Sequence, residues 1–125
     1  MFLDTNFLID LEEETSTRRI GVARKFLAGH RSVMFVVSVI AMGELAAGMQ
    51  DNDSARRFLA AFRIVTLKPE IALEAAGVDR ELMTTGQRLG ENDTWLAGFA
   101  RYYRTPLVSN DTAFDRVPLL RRIAY

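Results

Sequence analysis

Short apolar runs along the chain alternate with longer segments in which apolar residues recur every three or four positions. Short runs bounded by turn residues are typical of buried strands, and the longer periodic segments are typical of helices with one buried face. Strands are predicted at 2–3, 33–37, 64–67 and 106–108, with an edge strand in 120–125. Strands that alternate with helices favour an α/β fold around a mostly parallel sheet.

The helices between these strands are bounded by residues that favour helix termini. They are predicted at about 5–11, 18–28, 39–47, 54–62, 69–85 and 93–103, and the polar run 12–17 is predicted to be a loop. Thr17 and Ser38 suit N-caps, Pro69 suits a first turn, and Gly29 and Gly48 suit helix ends.

The length and composition indicate one globular unit. The chain has 125 residues, of which 49% are hydrophobic, so a single domain spanning 1–125 can bury a substantial core. It has no cysteine, which excludes disulfides and cysteine-ligated metal sites, and no secretory signal pattern, so the cytoplasm is the expected compartment. A net charge of +0 excludes a uniformly basic nucleic-acid binder.

Acidic residues follow three of the predicted strands. Asp4 comes directly after the first strand, Glu44 lies in the helix after the second, and Asp111 lies in the polar loop after the fourth. Asp93 begins a later helix, just past Gly90. Because sites in such folds lie outside the carboxyl ends of parallel strands, we expect these carboxylates to converge on one crevice.

Each of these acids taken alone also has an ordinary structural role. Asp4 and Asp93 can cap helices, and Asp111 can stabilise a turn. Glu44 is different, because a carboxylate in a mostly apolar helix has to be solvated, paired or bound to a cation. Four clustered carboxylates would repel one another, and some would take up protons unless a cation intervened.

The remaining residue types narrow the chemistry of such a site. Oxygen ligands without cysteine favour Mg²⁺ or Mn²⁺, and His30, the only histidine, is expected in a surface loop. One or two such ions suit phosphoryl chemistry in which water is the nucleophile. A lone histidine also excludes RNA cleavage by a pair of histidines.

Two other α/β classes are excluded by single positions. Haloacid-dehalogenase-like phosphatases require a second acid two residues after the first, where this chain has Asn6. Receiver domains require a lysine after a late strand, and the segment 107–110 has none.

Four short motifs occur in order along almost the whole chain. They are Phe2-Leu3-Asp4-Thr5-Asn6, Ser38-Val39-Ile40-Ala41-Met42-Gly43-Glu44-Leu45, Asn92-Asp93-Thr94-Trp95-Leu96-Ala97 and Val108-Ser109-Asn110-Asp111-Thr112-Ala113-Phe114. In this order they resemble the motifs of the PIN-domain nucleases, most closely the VapC-like toxins of toxin–antitoxin pairs. The resemblance implies a three-layer α/β/α sandwich.

The resemblance also assigns roles to individual positions. The acidic, metal-binding quartet of the family is matched by Asp4, Glu44, Asp93 and Asp111. Polar residues that orient those carboxylates are matched by Thr5, Asn6 and Ser109, and Asp115 matches a sometimes acidic position with a peripheral role. The chain departs from the family at Ala41, where a hydroxyl is frequent, and at Ser109, where threonine is usual.

The activity implied by the resemblance is Mg²⁺- or Mn²⁺-dependent hydrolysis of RNA, with tRNA among the possible substrates. A cognate antitoxin and a homodimer are the implied protein partners. Arginines near the motifs are candidates for phosphate contacts, and they are Arg88, Arg101, Arg104 and Arg116. Two alternatives stay open: a non-catalytic PIN-like binding module and a housekeeping RNA-processing nuclease.

Overall fold

The computed structural model describes residues 1–125 and contains five strands, six α-helices and one 3-10 helix. The strands are β1 (Phe2–Leu3), β2 (Val36–Ser38), β3 (Arg63–Val65), β4 (Leu107–Val108) and β5 (Arg122–Ile123). The α-helices are α1 (Thr5–Ser16), α2 (Val22–Gly29), α3 (Val39–Gly48), α4 (Asn52–Leu59), α5 (Pro69–Thr84) and α6 (Glu91–Tyr102). The 3-10 helix spans Thr112–Arg116.

The five strands form one sheet in which every pair of neighbours is parallel, in the order β3-β2-β1-β4-β5. The chain moves outward from β1 to β3 and then returns to the other side of β1. Because parallel crossovers are right-handed, this reversal puts helices on both faces of the sheet. The predicted α/β/α sandwich is therefore confirmed, and its crevice lies where the strand order reverses, between β1 and β4.

The two central strands are covered on both faces. In their register, Phe2 pairs with Leu107 and Leu3 pairs with Val108, and all four side chains are buried. This explains why the central strands are short apolar runs without polar alternation. The crevice is thus built on the most deeply buried part of the sheet.

Helix α1 is longer than predicted. The segment 12–17 was expected to be a loop, but α1 continues to Ser16 and α2 begins only at Val22. The reason is Glu14, whose buried carboxylate accepts the backbone N–H groups of Ala23 (3.0 Å) and Arg24 (2.9 Å). A glutamate on one helix therefore accepts the backbone N–H groups that lack a partner in the first turn of the next helix.

The second strand begins later than predicted. β2 starts at Val36, and Met34, expected inside a buried strand, is 70% exposed. The carbonyl of Met34 nevertheless accepts a 2.6 Å hydrogen bond from the amino group of Met1. The edge strand expected in 120–125 is present as β5. None of the helices combines the length and hydropathy needed to cross a bilayer.

Candidate active site

Asp4 lies at the carboxyl end of β1 and is held by the neighbouring strand. Its N–H donates to the carbonyl of Val108 (3.1 Å), and its Oδ2 accepts a 2.6 Å hydrogen bond from Oγ of Ser109. The side chain occupies the N-cap position of α1 without forming a capping hydrogen bond, so the capping role does not explain it. Burial raises the pKa of Asp4, partly offset by the Ser109 hydrogen bond, and nearby Glu44 raises it further.

Glu44 is tied to the start of α1. Oγ of Ser38 accepts the N–H of Ala41 (3.1 Å) and so begins α3 directly at the end of β2, as predicted. Glu44 follows within the same helix, and its Oε1 accepts a 2.7 Å hydrogen bond from Oγ1 of Thr5. Because Thr5 follows Asp4 in the chain, this bond brings the second acid to the end of β1.

Asp93 lies in the first turn of α6, and its side chain accepts no hydrogen bond. The helix begins at Glu91 with Gly90 as its N-cap, two residues before the predicted start at residue 93. Burial raises the pKa of Asp93 to about 6, and the negative charges of Asp4, Asp111 and Glu44 contribute to the rise. Because such effects decrease with distance, all four predicted acids lie in one cluster.

Asp111 lies in the loop after β4 and forms one hydrogen bond through its side chain and one through its backbone N–H. Its Oδ1 accepts the N–H of Ala113 (2.8 Å) and so caps the 3-10 helix, which is the ordinary role considered for this residue. Its own N–H donates to Oγ of Ser109 (3.0 Å). One hydroxyl therefore connects Asp4 to the backbone of Asp111.

The donor atoms of this cluster suit a hard divalent cation such as Mg²⁺ or Mn²⁺. All are carboxylate oxygens, and the one histidine, His30, bonds instead to the carbonyl of Phe26 (2.8 Å). No three acidic or histidine side chains already stand at the spacing of a closed metal cage. A bound cation would have to bring these carboxylates closer together.

Two of the predicted supporting residues contact the acids and two do not. Thr5 and Ser109 donate to Glu44 and Asp4, as described above. The side chain of Asn6 is exposed and forms no hydrogen bond, so the prediction that it orients a carboxylate is corrected. Asp115 likewise reaches no acid of the cluster, because both its oxygens accept from Arg122 (2.8 and 2.9 Å).

Three of the four predicted phosphate-contacting arginines are placed unfavourably. Arg88 forms a bidentate pair with Asp79 (2.9 Å for both bonds), which occupies its guanidinium. Arg101 is only 10% exposed and pairs with two glutamates, and it lies about 12 Å along α6 from Asp93. Arg104 follows the far end of α6, before β4 begins. Arg116 alone is exposed, unpaired and close in sequence to Asp111.

Sequence reasoning missed the residues that hold the Asp111 loop from the edge strand. Arg122 donates to the carbonyl of Ser109 (3.0 Å), and the N–H of Tyr125 donates to Oδ1 of Asn110 (2.9 Å). Neither Arg122 nor Tyr125 stands out by motif or periodicity. The predicted edge strand was the one available indication, because a parallel neighbour of β4 necessarily ends beside the same loop.

Comparison with known proteins agrees with this arrangement. The family model described as the PIN domain matches residues 1–120. Ribonuclease VapC2 of Haemophilus influenzae is 30% identical over 127 aligned residues, which cover 95% of this chain and 92% of the relative.

Solved structures share the fold at lower identity. VapBC2 from Rickettsia felis, bound to a DNA fragment from its promoter, superposes with a TM-score of 0.82 at 20% identity, covering 99% of this chain and 97% of that one. A toxin–antitoxin complex from Klebsiella pneumoniae gives 0.72 at 22% identity, covering 95% and 93%. The chain belongs to the PIN-domain family, and its similarity within that family is to the VapC ribonucleases.

Proposed function

We propose that this protein is a Mg²⁺- or Mn²⁺-dependent endoribonuclease and the toxin of a toxin–antitoxin pair. The observation that carries the proposal is the cluster of Asp4, Glu44, Asp93 and Asp111, in which burial, together with the charges of the other three acids, raises the pKa of Asp93 to about 6. A bound cation would offset the repulsion between these carboxylates, which otherwise favours protonation of some of them. Similarity to Ribonuclease VapC2 supports RNA as the substrate.

These residues divide the work of hydrolysis. The four carboxylates would hold one or two divalent ions, which supply polarisation of the phosphodiester and activation of water when bound. Ser109 and Thr5 orient Asp4 and Glu44 through hydrogen bonds of 2.6 and 2.7 Å. Water would be the nucleophile, and the resemblance to the PIN-domain nucleases implies that hydrolysis leaves a 5′-phosphate and a 3′-hydroxyl.

The protein partners follow from the relatives. Solved structures that share this fold include VapBC2 from Rickettsia felis and a toxin–antitoxin complex from Klebsiella pneumoniae. We therefore propose a cognate antitoxin as the main partner, a homodimer as the assembly and the cytoplasm as the compartment. Structured RNA such as tRNA is the proposed substrate, and Arg116 is the remaining candidate for contacting its phosphates.

The decisive experiment compares cleavage of labelled RNA by wild type and Asp4→Asn, each with Mn²⁺ and with EDTA. Asp53→Asn is the matched control, because Asp53 is an exposed acid on α4. We expect cleavage only by wild type and the control, and only with Mn²⁺. Equal behaviour of wild type and Asp4→Asn in both conditions would exclude the nuclease and favour a non-catalytic binding module.

A second observation separates a toxin from a housekeeping nuclease. A small reading frame directly upstream, whose product binds this protein and stops its cleavage of RNA, is expected for a toxin. Cleavage that persists in the presence of the product of any such neighbouring frame would favour RNA processing. Sequencing the 5′ ends of RNAs cut after induction would identify the substrate in either case.

A further inference from the structure

The carboxyl-terminal strand contacts the loop that carries Asp111. We propose that this strand and the residues after it are a positioning element for the acidic cluster, in which Arg122 and Tyr125 fix the segment 109–111. The inference rests on the proposed function, because it concerns how the same carboxylates are held. The observed hydrogen bonds of Arg122 and Tyr125 are all to groups of the protein itself, so both residues would act on the cluster through Ser109 and Asn110.

The planar guanidinium of Arg122, a fork of N–H donors in fixed geometry, binds the backbone of Ser109. Its Nε and Nη2 donate to the two oxygens of Asp115 (2.8 and 2.9 Å), which leaves Nη1 directed at the carbonyl of Ser109 (3.0 Å). The side chain is only 16% exposed. The N–H of Ser109 in turn donates to the carbonyl of Ile123 (2.9 Å). Both backbone polar groups of Ser109 are thus bound by β5.

The orientation of Ser109 matters because its hydroxyl serves two acids. Oγ of Ser109 donates to Asp4 and accepts from the N–H of Asp111. A rotation of the Ser109 backbone would break both bonds. Arg122 also places a positive charge near Asp111. Its hydrogen bonds to Asp115 raise its pKa, burial opposes this rise, and the negative charge of Asp111 raises the pKa further. A lysine would supply this charge without the planar fork.

Tyr125 joins the same loop to helix α1. Its N–H donates to Oδ1 of Asn110 (2.9 Å), and its hydroxyl donates to Oδ2 of Asp10 (2.6 Å). Its ring meets that of Phe7 edge-on, with 4.7 Å between centroids. Because α1 begins next to Asp4, Tyr125 fixes the loop after β4 relative to the helix after β1.

The test replaces the fork while keeping its charge. We expect Arg122→Lys to weaken Mn²⁺ binding, measured by titration calorimetry, by about tenfold, as for other residues that orient metal ligands. Arg121→Lys is the matched control, because its side chain is exposed and forms no hydrogen bond or ion pair. If Arg122→Lys does not fold, Asp115→Asn releases the same fork with a smaller change.

A double-mutant cycle separates positioning from a general loss of structure. If Arg122 acts through Ser109, the loss of Mn²⁺ affinity in Ser109→Ala/Arg122→Lys is smaller than the sum of the two single losses. Additive losses, or a wild-type Mn²⁺ affinity in Arg122→Lys, would overturn the proposal.

Hydrogen exchange makes the outcome independent of the proposed function. The amide of Asp111, bonded to Oγ of Ser109, is expected to exchange faster in Arg122→Lys than in Arg121→Lys. If wild type neither binds Mn²⁺ nor cleaves RNA, the proposed function fails, and this exchange rate alone decides whether Arg122 positions the loop. Equal exchange in the two variants would then reject the positioning role.

Discussion

The hydroxyl of Ser109 donates a 2.6 Å hydrogen bond to Oδ2 of Asp4 across a separation of 105 residues in the chain. The bond joins the carboxyl ends of β1 and β4, the two strands between which the order of the sheet reverses. It is buried, and its length is typical of a hydroxyl that donates to a carboxylate. The fold therefore uses its switch point to orient one carboxylate before any substrate arrives.

Removal of this hydroxyl should weaken metal binding more than it disturbs the fold. We expect Ser109→Ala to lower Mn²⁺ affinity by about 10- to 100-fold, because Asp4 loses the donor that orients it. The buried acceptor left behind should cost about 1–3 kcal/mol of unfolding free energy. Calorimetric titration and chemical denaturation measure the two effects separately.

Ser109→Thr is the matched control for this change, because it keeps the hydroxyl and adds one methyl group. Its Mn²⁺ affinity should remain within a few-fold of wild type, even if packing at this fully buried position costs some stability. Equal losses of affinity in the alanine and threonine variants would show that packing, and not the hydrogen bond, supports Asp4.

Asp4→Asn should remove function while leaving the fold intact. The amide has nearly the same size, its oxygen can still accept from Ser109, and its neutrality removes a charge that burial disfavours. Without metal, the variant should be at least as stable as wild type. Wild type should gain about 2.7 kcal/mol at a Mn²⁺ concentration of one hundred times Kd, and the variant should not.

Thermal unfolding with Mn²⁺ and with EDTA measures this difference, and Asp53→Asn controls for loss of an acidic residue elsewhere. A Mn²⁺-dependent stabilisation of Asp4→Asn as large as that of wild type would remove Asp4 from the ligand set.

Asp93 makes stability without metal depend on pH. Its pKa in the folded protein, about 6, is above its ordinary value of 3.8, so the folded state binds more protons between these values. Stability therefore falls as pH rises from about 4 to 6 and stays lower above that range. Asp93→Asn, which cannot ionise, should be more stable than wild type at pH 7.5 by about 1 kcal/mol, after allowance for solvent screening.

Denaturation in EDTA at pH 4 and pH 7.5 tests this sign. The advantage of Asp93→Asn should disappear near pH 4, where the carboxyl of wild type is largely protonated. Mn²⁺ should invert the order at pH 7.5, because only wild type gains from binding. A variant that is less stable than wild type at pH 7.5 in EDTA would contradict the proposed repulsion.

Local sequence patterns predicted the acids whose placement follows from their position relative to a strand. Asp4 and Asp111 follow strands, so the parallel sheet brings them to one edge, and Glu44 lies on the helix that begins at the end of β2. The patterns failed where a side chain acts across the fold. Glu14 looked like part of a polar loop, because its partners in α2 are nine and ten residues away.

The same limit applies to the arginines. Proximity in sequence suggested Arg101 as a phosphate contact. In the structure its guanidinium pairs with Glu74 and Glu81, which lie 27 and 20 positions earlier in the chain. Arg122 lies outside every motif, yet it contacts the carbonyl of Ser109. Such contacts depend on side-chain direction in the folded state, which neither hydrophobic period nor motif spacing contains.

Glu14 provides a prediction about stability that should leave the acidic cluster unaffected. Burial alone would raise its pKa, but the N–H groups of Arg24 and Ala23 outweigh burial and lower it. Glu14→Gln keeps the shape and loses the charge, so it should cost about 1–2 kcal/mol of unfolding free energy at pH 7. Because the pKa is lowered by folding, this difference should be complete above about pH 4.3 and shrink as the pH falls through the folded-state pKa.

Urea denaturation from pH 7 to pH 3 measures this dependence, with Glu13→Gln as the control because Glu13 is an exposed neighbour on the same helix. Gly21→Ala tests the same contact from the other side, since a Cβ there would collide with Oε1 of Glu14. Both changes should lower stability while Mn²⁺ affinity of the folded protein stays at the wild-type value. A stability difference between wild type and Glu14→Gln that is constant from pH 7 to pH 3 would show that the charge of Glu14 does not stabilise α2.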